Sequence, residues 1–290
     1  MNSLPLLFKD LKPIKMKYLL IIILSYFQLS NLTGQAWTKP KGEGFYKLDY
    51  TLIHTNQVFD PGGKIVPFRT LGNHTFSLYG ERGITDKFTL QAYIPFFVRN
   101  VLNETKGAQS GVLLEPGIEN NNIGDIDIAF RYALPFGKLP VSATLLLGLP
   151  TGNSTQNSGL FTGDGEFNQM LKLSSGFGAT KWWTQFGFGF NNRTKGFSDE
   201  VRYDAEFGYK MLNQKLFTIF KLSGIESLNN GTEAASSTGL FSNNVEYLSP
   251  GLEFLYFVKP KFGFSFRAAG AVKGQNVLAA PSFSFGIFAQ

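Results

Sequence analysis

The sequence predicts an all-β protein, an antiparallel up-and-down transmembrane β-barrel of about twelve strands. Three observations predict it. Stretch after stretch alternates bulky apolar residues with charged or small ones, the period of a strand with one greasy and one wettable face. Beyond residue 35 no apolar run approaches the roughly 18 residues of a membrane-spanning helix. The connections between the alternating stretches are long and short by turns, as in barrels with long loops at one end and tight turns at the other.

Composition agrees. The 290 residues include 30 Phe and 32 Gly, and only 17% are charged, which suits many short strands and neither a helical bundle nor a disordered chain. Cysteine is absent, which excludes structural zinc, iron–sulfur ligation, thiol catalysis, a disulfide framework and a lipidated N-terminal cysteine.

The chain opens as an export signal over residues 1–34. Lys15 and Lys17 precede the apolar run Tyr18–Phe27, and a small, polar stretch, Ser30–Gln35, follows. That run is too short to span a membrane as a helix. Met16 is an alternative start, and cleavage is expected near Gly34–Gln35. Without this segment the formal charge falls from +6 to about +3. No basic run carries interleaved aromatics, so no nucleic-acid partner is expected.

Residues 35–290 form the barrel. The strands are predicted at 43–52, 70–80, 86–99, 123–133, 139–150, 166–178, 181–191, 200–210, 214–226, 244–256, 261–272 and 277–289. The eighth is the clearest: Val201, Tyr203, Ala205, Phe207 and Tyr209 share one face, and Arg202, Asp204, Glu206 and Lys210 the other. In the fourth, Ile126, Ile128, Phe130 and Tyr132 alternate with Asp125, Asp127, Ala129 and Arg131; in the seventh, Phe186, Phe188 and Phe190 alternate with Gln185, Gly187 and Gly189. The last two carry Phe262, Phe264 and Phe266, then Phe283, Phe285 and Ile287, on their apolar faces. The fifth is apolar on both faces near its outer end, and in the ninth Phe217 and Ile219 share a face with Lys221. Pro250 in the tenth predicts a bulge or a strand break. Long outer loops are expected at 53–69, 100–122, 151–165 and 227–243, with both termini on the periplasmic side.

Glu81–Pro95 (ERGITDKFTLQAYIP), Gly124–Leu134 (GDIDIAFRYAL) and Leu147–Gly152 (LGLPTG) occur in that order. This ordered set resembles the meta-pathway of phenol degradation family of outer-membrane β-barrel channel proteins. The resemblance covers roughly residues 70–180 well and the remainder only by general barrel character. It implies a monomeric channel in outer-membrane lipid of a Gram-negative bacterium that admits small hydrophobic or aromatic solutes. Barrels of this kind commonly end on an aromatic residue resembling a recognition signal for the barrel-insertion machinery. Here Phe288 is third from last.

The residues themselves suggest turn chemistry for Gly83 and Asp86 and strand exit for Pro150, Gly152 and Asn153. Turning the polar faces inward gives a lumen lined by Lys47, Asp49, Asp125, Asp127, Arg131, Lys172, Arg202, Asp204, Glu206, Lys210, Glu253 and Arg267, balanced between the signs. Asp125, Asp127 and Arg131 read as an internal ion-pair network or, alternatively, as part of a constriction. The balance predicts no ion-selective pore and allows either a small polar passage or a closed, structural barrel whose long loops contact partners. His54 and His74 are expected near the outer rim, with Ser77 on the opposite face from His74; no nucleophile elbow is present, and no enzymatic activity or cofactor is expected. Asp164 and Glu166 in Gly163–Glu166 lack the spacing of a calcium loop and read as a turn.

Overall fold

The computed structural model describes residues 35–155 and 158–290; the export segment and its cleavage site fall at or before the boundary of the described residues. Twelve strands build the wall: β1 Gly44–Phe59, β2 Ile65–Thr85, β3 Phe88–Leu102, β4 Ile126–Ala133, β5 Val141–Leu149, β6 Asn168–Gly178, β7 Trp182–Asn192, β8 Glu200–Met211, β9 Leu216–Ser227, β10 Glu246–Lys259, β11 Phe262–Gly270 and β12 Pro281–Ala289. Each pairs antiparallel with the next, and β1 pairs with β12 from Tyr46–Ala289 to Ile53–Ser282, closing the sheet. Closure leaves no edge strand, the condition for crossing a bilayer in β-structure.

Register fixes the faces. Residues opposite one another in a ladder share a face, so Lys47, Tyr79 and Phe288 point the same way. Outward, Phe186, Phe188, Phe220, Phe264 and Phe285 are each more than half exposed. Such a continuous apolar sheath is untenable in water and suited to lipid.

Connections at one end are tight: Asp86–Lys87, 134–140, 179–181, 212–215 and Pro260–Lys261. The first turn lies later than the sequence reading placed it, because β2 continues through Thr85. Both described termini lie at this turn end. At the loop end, two expectations are corrected. Residues 53–69 are not a loop: β1 and β2 rise to a tight turn in which Asp60 Oδ1 accepts the Gly62 and Lys64 amides at 2.8 Å each. Much of 100–122 is also strand, since β3 runs to Leu102 and Ile118–Asn122 pairs back onto it. Hence His54 and His74 lie within the wall rather than at its rim; the Tyr50 hydroxyl meets His74 Nδ1 at 2.8 Å. Among the described residues, 150–155 with 158–167, and 228–245, form the long irregular loops.

Pro250 does not break β10. Its ladder with β9 is continuous through Leu222–Pro250, whereas on the other side pairing stops at Gly251–Ala269 and resumes at Leu248–Lys273. The missing N–H of proline falls in that gap, so the interruption lies in the neighbouring strand.

Two apolar clusters occupy the interior. At the turn end Phe45, Trp183, Phe217, Ile219, Leu255 and Phe288 form a floor, with Trp37, Tyr79 and Phe257 against it. At the loop end Leu71, Leu102 and Leu278 receive Leu160 and Leu240 from the two long loops, which therefore fold inward as a partial roof.

Candidate functional site

Between roof and floor the interior is polar; the register turns eleven residues of the predicted polar set inward, and Asp125, one residue before β4, borders the same interior. They do not form one network. Lys47 Nζ bridges Asp49 at 2.7 Å and Glu253 at 3.1 Å; Glu253 also meets Lys221 at 2.6 Å, and Glu206 lies 3.8 Å from Lys221. Lys172 pairs with Asp204, and Arg202 with Glu200 at 2.6 Å. Lys210 sits over the Phe217 ring, 5.8 Å from its centroid. Sharing a face with Phe217 and Ile219, Lys221 belongs to the interior; the apparent ambiguity of β9 arises because that face is floor at one end and ion-pair network above it.

Asp125, Asp127 and Arg131 are not brought together. Arg131 Nη1 lies 3.5 Å from Glu81 Oε2 and donates to the Trp37 carbonyl at 2.9 Å, toward the turn end. Asp125, at the loop end, clamps a loop instead: Oδ1 accepts the Gly152 amide and Oδ2 the Asp164 amide, both at 2.8 Å. Two motifs far apart in sequence, the Gly-Asp before β4 and the Pro-Thr-Gly after β5, are thus one structural unit. A Cβ on Gly152 would stand 2.7 Å from the Gly163 backbone, so glycine is required by that close approach.

Asp164 and Glu166 are also engaged. Arg193 donates to Asp164 (3.1 Å), Glu166 (2.8 Å) and Glu200 (2.8 Å), fastening the 150–167 loop to β8. Burial pushes the Glu166 carboxyl above its ordinary range, against the hydrogen bonds from Arg193 and the Thr194 amide. Asp199 goes the other way: a 2.8 Å hydrogen bond from Asn230, joined by the Arg193 amide, holds its carboxyl below the usual range. Ser77 points inward and is buried, while His74 and His54 point outward, so the wall separates the hydroxyl from both imidazoles.

The sequence reading did not anticipate the strap formed by residues 35–43, which folds back into the barrel from the turn end. The Ala36 amide donates to Gln185 Oε1 at 3.1 Å, Ser142 Oγ to the Gln35 carbonyl at 2.6 Å, and the Lys39 amide to Thr89 Oγ1 at 2.8 Å. Lys172 reaches Gln35, and Lys39 pairs with Glu81 at 3.3 Å. Trp37 packs over Gly176, where any Cβ would lie 2.5 Å from the indole. This corrects the role of Gly83: it is not in the turn, but lies where a Cβ would come within 2.1 Å of the Pro40 carbonyl oxygen. Asp86, in the turn, accepts the Lys41 amide at 2.9 Å. The Gly-Ile-Thr-Asp stretch is therefore the strap's seat.

Three cavities lie between roof and floor. The largest, about 650 Å³, lies beneath the long loops; one of about 280 Å³ lies against β4–β6 and one of about 260 Å³ against β1, β9 and β10. Ala129, Leu146 and Met170 give the second an apolar wall. Leu146 is the inward half of the doubly apolar stretch of β5.

No family model matches the chain, and no curated protein matches it. Solved structures do. The COG4313 outer membrane channel of Pseudomonas putida superposes with a TM-score of 0.61 at 15% identity, over 90% of this chain and 99% of that one. The NanC porin gives 0.49 at 9% identity over 86% and 100%, and the CymD monoaromatic hydrocarbon channel 0.44 at 10% over 91% and 94%. Closed wall, apolar sheath and polar interior define a transmembrane β-barrel of the outer-membrane class.

Proposed function

We propose that this protein is a passive outer-membrane channel for small solutes, hydrophobic or aromatic ones among them. The observation that carries the reading is the set of three adjoining cavities inside a closed barrel, with the apolar wall of Ala129, Leu146 and Met170 suited to an uncharged organic surface. The superposed Pseudomonas channel supports it by fold. In this reading the barrel is a monomer with its turn end and both termini in the periplasm, residues 1–34 are removed on export, and the twelve inward polar residues border the solute's route.

Planar-bilayer recording and liposome swelling with purified protein test it. Small, discrete conductance steps and uptake of small neutral aromatics are expected from protein whose gel mobility shifts on boiling. Properly folded barrels that pass neither current nor solute would refute it. A second reading, a closed structural barrel, is favoured by one observation: the floor and the strap together occupy the turn end. That reading requires silence in both assays.

A further inference from the structure

The partition of the interior can be located from residues that border more than one cavity. Tyr93 borders all three, Asp127 the first and second, and Lys221 and Arg267 the first and third. They therefore stand at the partition between the loop-end cavity and the two beneath it. Asp127 and Tyr93 are opposite one another on β4 and β3. Lys221 on β9 and Arg267 on β11 each lie five strands from β4 around the twelve-stranded ring, in opposite directions, and so lie across the lumen from Asp127.

The charges at this neck differ in how they are used. Lys221 is committed to Glu253 at 2.6 Å. Arg267 is opposite Glu253 in the ladder, yet that carboxylate is already taken by Lys47 and Lys221. Among the described residues no carboxylate lies within ion-pair distance of Arg267; its Nη2 donates to Ser284 Oγ at 3.4 Å and its buried Nε has no acceptor. Asp127 likewise has no ion pair or hydrogen bond to another described residue, although most other interior carboxylates do. A carboxylate with no ion pair and a guanidinium with only a hydroxyl for an acceptor are costly away from bulk water, and each leaves open the counter-charge a ligand would supply.

We infer that Asp127 and Arg267 form a charge-split neck that selects small zwitterions with an apolar body, the carboxylate taken by Arg267 and the ammonium by Asp127. A solute carrying both charges satisfies both walls at once. An ion of one sign is attracted to one wall and repelled by the other. Ile53, Val98 and Leu240 on the wall of the large cavity offer the apolar body a surface. The inference rests on the channel reading and deepens it.

The test records reversal potentials under a salt gradient for wild type, Asp127→Asn and Arg267→Gln, with L-phenylalanine, phenylacetate and phenethylamine as blockers. Wild type is expected to discriminate little between cation and anion. D127N shifts toward the chloride potential, R267Q shifts toward the cation potential, and Arg267→Lys keeps the wild-type value. Phenylalanine reduces wild-type current more than either singly charged analogue, and loses that advantage in both neutralising variants. Heat-modifiability on gels verifies that each variant is folded; should one fail to fold, a cysteine at the same position in this cysteine-free chain, labelled with reagents of either charge, reads the same selectivity. A conducting wild type whose selectivity and block are indifferent to both changes overturns the neck while leaving the channel intact. A folded wild type with no current overturns both.

Discussion

Trp183 shows how single residues decide the interior. It is fully buried, donates its indole N–H to Glu206 at 2.7 Å, and packs edge-on against Phe217. Its ring lies flat over Gly208, where a Cβ would stand 1.9 Å from the indole. Gly208→Ala is therefore expected to destabilise the barrel by about 1–3 kcal/mol, the usual cost of overpacking, read as a lower denaturant midpoint for the heat-modifiable form; an unchanged midpoint would show the floor to be loosely packed. Nothing in the sequence could announce this. Period-two alternation turns Gly208 and Trp183 inward but does not say that one covers the other. Gly83 is the same case: its local sequence reads as a turn, and only the strap crossing it reveals the need for a missing side chain. Asp125 was legible as an inward carboxylate but not as a clamp, because its partners are backbone amides of a loop more than twenty residues away.

At the scale of elements the sequence was most informative where lipid imposes a stripe. Every strand of the wall was legible, since a bilayer demands bulky apolar side chains at alternate positions. Beyond the bilayer that demand ends. The outer halves of β1 and β2 carry no such stripe, so 53–69 reads as a loop although Asp60, Pro61, Gly62 and Gly63 spell a tight turn in its middle. The strap is invisible for the opposite reason: a short irregular segment has no period at all. Its place in the barrel nevertheless makes a prediction. Gln35 borders both lower cavities, and the strap fills the β3–β7 side of the turn end. Deleting residues 35–41 should raise single-channel conductance without abolishing the gel shift; equal conductance would mean that solutes leave by another route.

The whole molecule is built in layers along its axis: roof, large cavity, split neck, paired lower cavities, and a floor shared by aromatics and strap. The overall balance of interior charge was legible from composition and alternation alone. Its partition was not, because which carboxylate takes which cation depends on strand order around a closed ring. Eight of the twelve cancel in ion pairs, Asp125 is held by backbone amides and Lys210 stands over an aromatic ring, which leaves Asp127 and Arg267. The consequence at this scale is that a balanced interior can still discriminate, provided that the few uncommitted charges stand where the passage is narrow. Phe288 also takes its meaning from the whole: the aromatic nearest the chain end faces the floor, stacked 5.6 Å from Phe45, while Ile287 faces outward.

The strap also constrains the order in which the barrel can be assembled. Its partners are distributed over β2 to β7, whereas the seam that completes the ring joins β1 to β12. To enter a ring already zipped beside an aromatic floor, residues 35–43 would have to pass that floor before turning onto Ser142 and Gln185. A strap laid on the concave side of a half-formed sheet, with the seam closing over it afterwards, needs no such passage, and this order is the expected one. A cysteine placed at Ala36, unique in this chain, should become protected from thiol reagents during refolding at the same rate as the heat-modifiable band appears. Protection that lags behind the band would mean that the strap enters a finished ring.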